Sequence, residues 1–468
     1  MPRAGGRALL AALLVGVAFD AAARNGLDTL SGLALAAVGA GALAWSAPIR
    51  GRATRLLLAG VVLGSALLVL RASPWVIVPL VGALALVVLL AASHDPDVPG
   101  EATFPALVGR LWVAAGHIVV APAMFLPRPA AERALAPTPE GRDRMALVRG
   151  VALSLPVVAV IGLLLADADP IFESWFDLPL LFDHGVVAAI GAWASLGVWR
   201  VANARRPTAD LPDPPRLGTT EAQVVLATLC ALYAAFVAAQ LVGVSGGSRR
   251  ILESQGLTYA EYAREGFFQL LWAAAITVVV LLCVRACTGR ARGALLWLSE
   301  AIVVLTLGVV VSALRRLQLY EAAYGLTMLR LACTVVAVGI GVVFVLVGVA
   351  MARRGPPSDR LAPAVVAVAL VFVAGWALAD PAALVAQRNL DRAAHGKPLD
   401  VAATVELGPD AIPAIVDRTD DLDPETATDL RTAVCFEGAD PATGAAFNAS
   451  RAEAHALLDD YCADVAVP

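Results

Sequence analysis

"AIVVLTLGVVVSALRRLQLYEAAYGLTMLRLACTVVAVGIGVVFVLVGVA", residues 301–350, sets two oily runs around one polar break. Each run approaches the roughly 20 apolar residues needed to cross a bilayer core of about 30 Å. The break carries Arg315, Arg316, Gln318, Tyr320, Glu321, Tyr324 and Arg330. At helical spacing, Arg316, Tyr320 and Tyr324 form an i, i+4, i+8 stripe. Gly325 suits the position just past a helix end, and Thr327 suits the cap of the next helix. The stretch therefore reads as two membrane spans, the first continuing two or three turns beyond the bilayer before the chain turns back. Tyrosine and arginine are ordinary anchors at a membrane interface. Glu321 is not, and its expected partner is Arg264, Arg315 or Arg330.

The rest of the chain follows the same pattern. Of 468 residues, 59% are hydrophobic and 16% charged, against roughly 45–50% and about 25% in soluble domains. Apolar runs lie at about 8–23, 29–47, 56–70, 75–92, 147–166, 184–200, 220–243, 267–285, 295–313, 329–350 and 362–379. They predict an all-α, polytopic transmembrane helix bundle of about 11 spans. The N-terminus imitates a secretory signal, with Arg3 and Arg7 before a short oily run. So many later spans favour an uncleaved first helix. Net charge is −4, which argues against a nucleic-acid partner, since that needs a clustered basic face. Lys397 is the only lysine beside 34 arginines, a bias that fits a GC-rich genome.

The segment 104–127 is long enough to cross, but Arg110 and His117 interrupt it and prolines bracket it. Arginine counts bear on it, because short cytoplasmic loops carry the excess of basic residues. With 104–127 not crossing and the N-terminus cytoplasmic, inside segments hold 21 arginines and outside loops 7. Crossing would invert everything beyond it. The segment therefore reads as an interfacial or re-entrant helix on the cytoplasmic side. The expected organisation is an N-terminal membrane region (1–146) of four spans plus that segment. A core membrane region of seven spans (147–379) follows, then a small soluble helical domain (380–468) on the extracytoplasmic side.

The tail is acidic and polar. Asp423-Pro424 reads as a helix cap followed by proline in the first turn. Ser450 and Glu453 form a capping-box pattern. Cys435 and Cys462 are the only tail cysteines. A disulfide between them is expected in an oxidising compartment, the alternative being two unpaired thiols. No Cys/His cluster suggests zinc, and no Walker loop, GxSxG, HExxH or Rossmann fingerprint stands out. No cofactor or metal is expected.

Three polar features fall on the predicted outer face. In 166–183, carboxylates including Asp169 and Glu173 interleave with aromatics. This fits a solvated acidic loop with an aromatic belt better than a cation site, because no EF-hand spacing is present. In 256–272, Thr258 and Glu261 make a capping box, and Tyr259 and Tyr262 share a helix face. Arg264 remains unexplained there. The third feature is the break already quoted. Inside the spans, Glu300 is the candidate carboxylate; its bland reading is snorkelling or pairing with a neighbouring arginine.

"ADADPIFESWF" (166–176), "YAEYAREGFFQLLW" (259–272), "RRLQLYEAAYGLTMLRL" (315–331), "LVAQRNLDRA" (384–393) and "LDVAATVELGPDAIPAIVD" (399–417) carry a resemblance. They resemble an uncharacterised bacterial membrane-protein family, domain of unknown function 4173, with a relative numbered 4153. The resemblance covers roughly 150–435. It implies a multi-pass protein of the bacterial inner membrane and supplies no substrate or catalytic residue. The leading expectation is a non-enzymatic envelope protein, embedded in the lipid bilayer, that senses, binds or assembles partners through its outer loops. An envelope protein or a small-molecule ligand would be met at that face. The alternatives are a transporter using Glu300, and a membrane enzyme on lipid-linked substrates with Asp169, Glu173 and Glu321 as candidate acids.

Overall fold

The computed structural model describes residues 2–47, 51–93, 180–203, 219–242, 267–288, 293–352, 361–439, 443–463 and 465, with five isolated positions between 107 and 118. The described secondary structure is helical, with no strand. Among the described residues ten long helices come first: α1 (Pro2–Asn25), α2 (Leu30–Ser46), α3 (Gly51–Val69), α4 (Pro74–Ser93), α5 (Leu180–Asn203), α6 (Thr219–Val242), α7 (Phe267–Thr288), α8 (Ala294–Tyr324), α9 (Met328–Ala352) and α10 (Leu361–Leu378). Each coincides with one of the apolar runs read from the sequence. The run at 147–166, the acidic loop 166–179 with Asp169 and Glu173, and the segment 243–266 with Tyr259, Tyr262 and Arg264 lie outside the described residues.

Seven described helices are long and apolar enough to cross a membrane, and Leu30–Ser46 is a shorter apolar helix. Their outward faces are oily in mid-helix: Leu63 is 74% exposed and Val78 70%. Such faces are costly in water and natural against lipid. α8 is 31 residues long, about 46 Å at 1.5 Å per residue. That exceeds a bilayer core of about 30 Å, so its polar last third, 314–324, projects beyond the oily part.

α1 packs along α5 and α2, and α3 along α4. A second group is built from α6, α7, α8 and α9 around Leu226, Leu281, Ile302, Phe344 and Val347. α10 joins the groups, touching α9 on one side and α3 and α4 on the other. Successive helix ends alternate. His184, near the start of α5, meets Asp20, near the end of α1, at 2.6 Å. At the opposite end, Trp199 donates to the Ser46 carbonyl at 3.0 Å, and Leu295 and Met351 share one cluster. The helix ends that carry Arg7, Arg52, Arg55 and Arg200 therefore gather at that opposite end, the arginine-rich one. From 104–127, Ile118 is helical, and its carbonyl accepts from Trp193 Nε1 at 2.8 Å. Trp193 lies six residues before Trp199, so Ile118 sits within the bundle, about 9 Å in from that end.

The tail adds α11 (Pro381–Ala394), α12 (Val401–Val405), α13 (Ile412–Arg418), α14 (Pro424–Glu437) and α15 (Ala449–Tyr461). Its apolar core is continuous with the long helices. Val385, Leu390, Ile415, Leu430 and Leu458 join one cluster with Leu68, Val76, Leu80, Leu326, Met328 and Trp376. Asp423 caps α14 through the Thr426 N–H at 3.0 Å. The cap of α15 differs from the capping box expected at Ser450. Asn448 fills that place, accepting the Arg451 N–H at 3.1 Å, and Ser450 is buried in the first turn.

Candidate functional site

Three turns share one end of the bundle: 26–29 between α1 and α2, 70–73 between α3 and α4, and 325–327 between α8 and α9. Such turns expose backbone donors and acceptors that regular helix bonds leave unmatched. Tail side chains fill these places.

At the first turn, Asp28 is buried and its carboxylate accepts from Arg451 at 2.7 Å. Leu30 N–H donates to the Phe447 carbonyl at 3.1 Å, and Ser31 Oγ to the Ala445 carbonyl at 2.9 Å. Asn448, fully buried, reaches two turns at once. Its amide donates to the Asp28 carbonyl at 2.5 Å and to the Arg71 carbonyl at 3.0 Å.

At the second turn, the buried Asp410 carboxylate accepts the Ala72 and Ser73 N–H groups at 2.9 and 2.8 Å. This mimics a helix cap for the start of α4, supplied from 337 residues away. Arg71 pairs with Asp380 and donates to the Ala377 carbonyl at 2.9 Å. Asp380 also caps α11 through the Ala383 N–H at 3.1 Å. It does so in the left-handed region, φ 51°, which a short polar side chain tolerates. Burial pushes both Asp28 and Asp380 above the usual carboxylate range, although Arg451 and Arg71 respectively pull them down.

At the third turn, Gly325 has φ 83°, and a Cβ there would lie 2.9 Å from Asn389 Oδ1. Conformation and close approach both require glycine. Asn389 holds Leu326 from both sides, accepting its N–H at 2.9 Å and donating to its carbonyl at 2.8 Å. Arg392 donates to the Ala322 carbonyl at 2.7 Å, capping the C-terminus of α8 where the helix dipole favours a cation. Arg330 binds the Gly325 carbonyl and stacks over Tyr320, 4.2 Å from the ring centre. Tyr320 meets Tyr324 at 5.1 Å.

Of the expected polar cluster, Arg315, Arg316, Tyr320, Glu321 and Tyr324 are among the described residues. Tyr320, Tyr324 and Arg330 come together, while Arg315 is exposed. Glu321 does not take Arg330 as a partner, because that guanidinium is engaged by a carbonyl and a ring. Among the described residues no ion pair holds the Glu321 carboxylate; its backbone carbonyl accepts the Gly325 N–H at 2.8 Å. Cys435 and Cys462 are disulfide-bonded with Cα atoms 5.7 Å apart, closing the loop that carries Asn448 and Arg451. Glu300 lies apart, between α8 and α9. Among the described residues no group of acidic, His or Cys side chains is arranged to hold a metal.

Sequence reasoning missed Asp28, Arg71, Asp380, Asn389, Arg392, Asp410, Asn448 and Arg451. Three of them sat inside quoted motifs: Asn389 and Arg392 in "LVAQRNLDRA", Asp410 in "GPDAIPAIVD". Those motifs were the available signal.

Fold and site together define a multi-helix protein with membrane-type helices, whose C-terminal helices clasp three turns at one end. The chain belongs to the family described as Domain of unknown function (DUF4153), whose model matches residues 58–418, well over half of the chain. The match is to the family numbered 4153 rather than 4173, and it begins in α3, earlier than the resemblance placed it. It takes in the Arg71–Asp380, Asp410–Ser73, Asn389–Leu326 and Arg392–Ala322 contacts. It stops before Asn448 and Arg451. No curated protein and no solved structure matches the chain.

Proposed function

We propose that this is a multi-pass protein of the bacterial inner membrane, N-terminus cytoplasmic, whose clasped end faces the extracytoplasmic side. Its role is non-enzymatic: it assembles with or senses a partner at that face. The carrying observation is the clasp. Asp28, Asp380, Asp410, Asn389, Asn448 and Arg451 are satisfied by one another and by backbone, so these groups hold a surface in shape rather than line an open cleft. Tyr324 and Leu319 stand exposed on that end, 59% and 53%, where a partner would meet them. The orientation is supported by the arginine excess at the other end and by the tail disulfide.

The test is a single cysteine at Ala322 or at Ala352, labelled in intact cells with an impermeant thiol reagent. Ala322 is expected to label and Ala352 to label only after lysis. The reverse pattern would overturn the orientation and, with it, the envelope role.

A further inference from the structure

Glu300 is the sixth residue after Ala294 in α8, about 9 Å from that helix end. Its Oε2 would lie 3.3 Å from a Cβ placed on Gly348 of α9, with Val303 Cγ1 equally close. The carboxyl therefore rests between two helices, close against the glycine face of α9. Oε1 is buried and has no hydrogen-bond partner among the described residues.

Among the described residues the neighbourhood offers no compensation. The surrounding cluster includes Leu295, Val303, Phe344, Val347 and Met351, with Leu281 and Val284 from α7 and Leu226 from α6. Ser299 and Thr306, flanking Glu300 on α8, donate their hydroxyls to their own helix at 2.8 Å. The titratable group brought in from α6 is Cys230, whose thiol donates to the Leu298 carbonyl at 3.4 Å. Arg285, Arg290, Arg292, Arg353 and Arg354 are near in sequence, and their side chains lie outside the described residues. An ionised carboxylate with an orphaned oxygen in such a place is strongly disfavoured, and one bound proton removes the charge.

We propose that Glu300 is a proton-binding site within the membrane, a neutral carboxylic acid between α8 and α9 that exchanges its proton with the arginine-rich end. The path favours that end. Gly348 is four residues from the end of α9, about 6 Å. The other end of α8 is 24 residues away, about 36 Å. The proposal does not depend on which side faces the cytoplasm.

The full chain in lipid vesicles, treated with the hydrophobic reagent dicyclohexylcarbodiimide, gives the test. A protonated carboxyl adds across one N=C bond of the reagent, its proton going to nitrogen. The adduct rearranges to an N-acylurea, so the residue gains the whole reagent mass and nothing leaves. Peptide mass spectrometry at pH 7 is expected to show roughly tenfold or more label at Glu300 over the exposed Glu425. Glu300→Gln should remove that label while the protein stays folded, since the neutral amide resembles the neutral acid. In vesicles of defined orientation, raising pH on the arginine-rich side should suppress labelling, and raising it on the tail side should not. An unlabelled Glu300 in folded protein at pH 7, or labelling governed from the tail side, would overturn the proposal.

Discussion

Asn448 does four jobs with one amide: it caps α15 with its oxygen, and its nitrogen reaches the Asp28, Arg71 and, at 3.5 Å, Leu68 carbonyls. Asn448→Ala leaves buried carbonyls unmatched and a helix start uncapped, a loss of about 2–3 kcal/mol. Thermal unfolding in detergent should register it, and Asn448→Asp should recover only the cap. The carboxylates carry opposite pH signatures. Asp28, raised by burial, binds protons more readily folded than unfolded, so its contribution falls as pH rises from its ordinary value of 3.8 through its elevated folded value. Asp423, lowered by the Thr426 N–H it accepts, contributes above its ordinary value of 3.8, and that contribution is lost as pH falls through its lower folded value. Melting temperature measured against pH should therefore show a shallower downward slope above pH 4 in Asp28→Asn, the remainder coming from Asp380, and keep the full slope in Asp423→Asn. The Asp423 cap was legible in the sequence, because a cap is a local feature. Asp28 and Arg71 look like ordinary turn residues until the tail is laid over them.

At the scale of elements, α8 and its turn show what sequence does and does not specify. The oily run, the amphipathic extension and the glycine stop were legible, because hydropathy, spacing and φ preference are local properties. Arg392, the group that caps α8, lies about 70 residues away, and no periodicity points to it. Arg392→Ala should free the last turn of α8, at a cost of about 1 kcal/mol. Hydrogen exchange should rise at 320–326 and stay unchanged in α1. Arg392→Lys should rescue only part, because a point charge cannot span successive carbonyls as a planar fork does. The cap of α15 moved from the expected Ser450 to Asn448 for a related reason: the favoured residue is the one that also reaches the turns.

For the whole molecule, composition and apolar runs were enough to read an all-helical, membrane-type chain. The core that the tail shares with the helix ends is a long-range feature that neither composition nor apolar runs report. The disulfide acts at this scale as well. It closes 27 residues of sequence, worth about 3.5 kcal/mol by loop-closure reasoning. Reduction, or Cys435→Ser with Cys462→Ser, should lower the melting temperature and raise hydrogen exchange in both α15 and the 26–29 turn. A change confined to α14 and α15 would show that the clasp does not transmit it.

The clasp also sets a schedule. Asn448 follows Asp28 by 420 residues, about 20–80 s of synthesis at ordinary elongation rates. Through that interval the first turn is already made while its partner does not yet exist. The α1–α2 hairpin must wait, with Asp28 unpaired, for α15 to leave the ribosome. A chain interrupted before Asn448 would leave the 26–29 turn without both of its tail partners, Asn448 and Arg451.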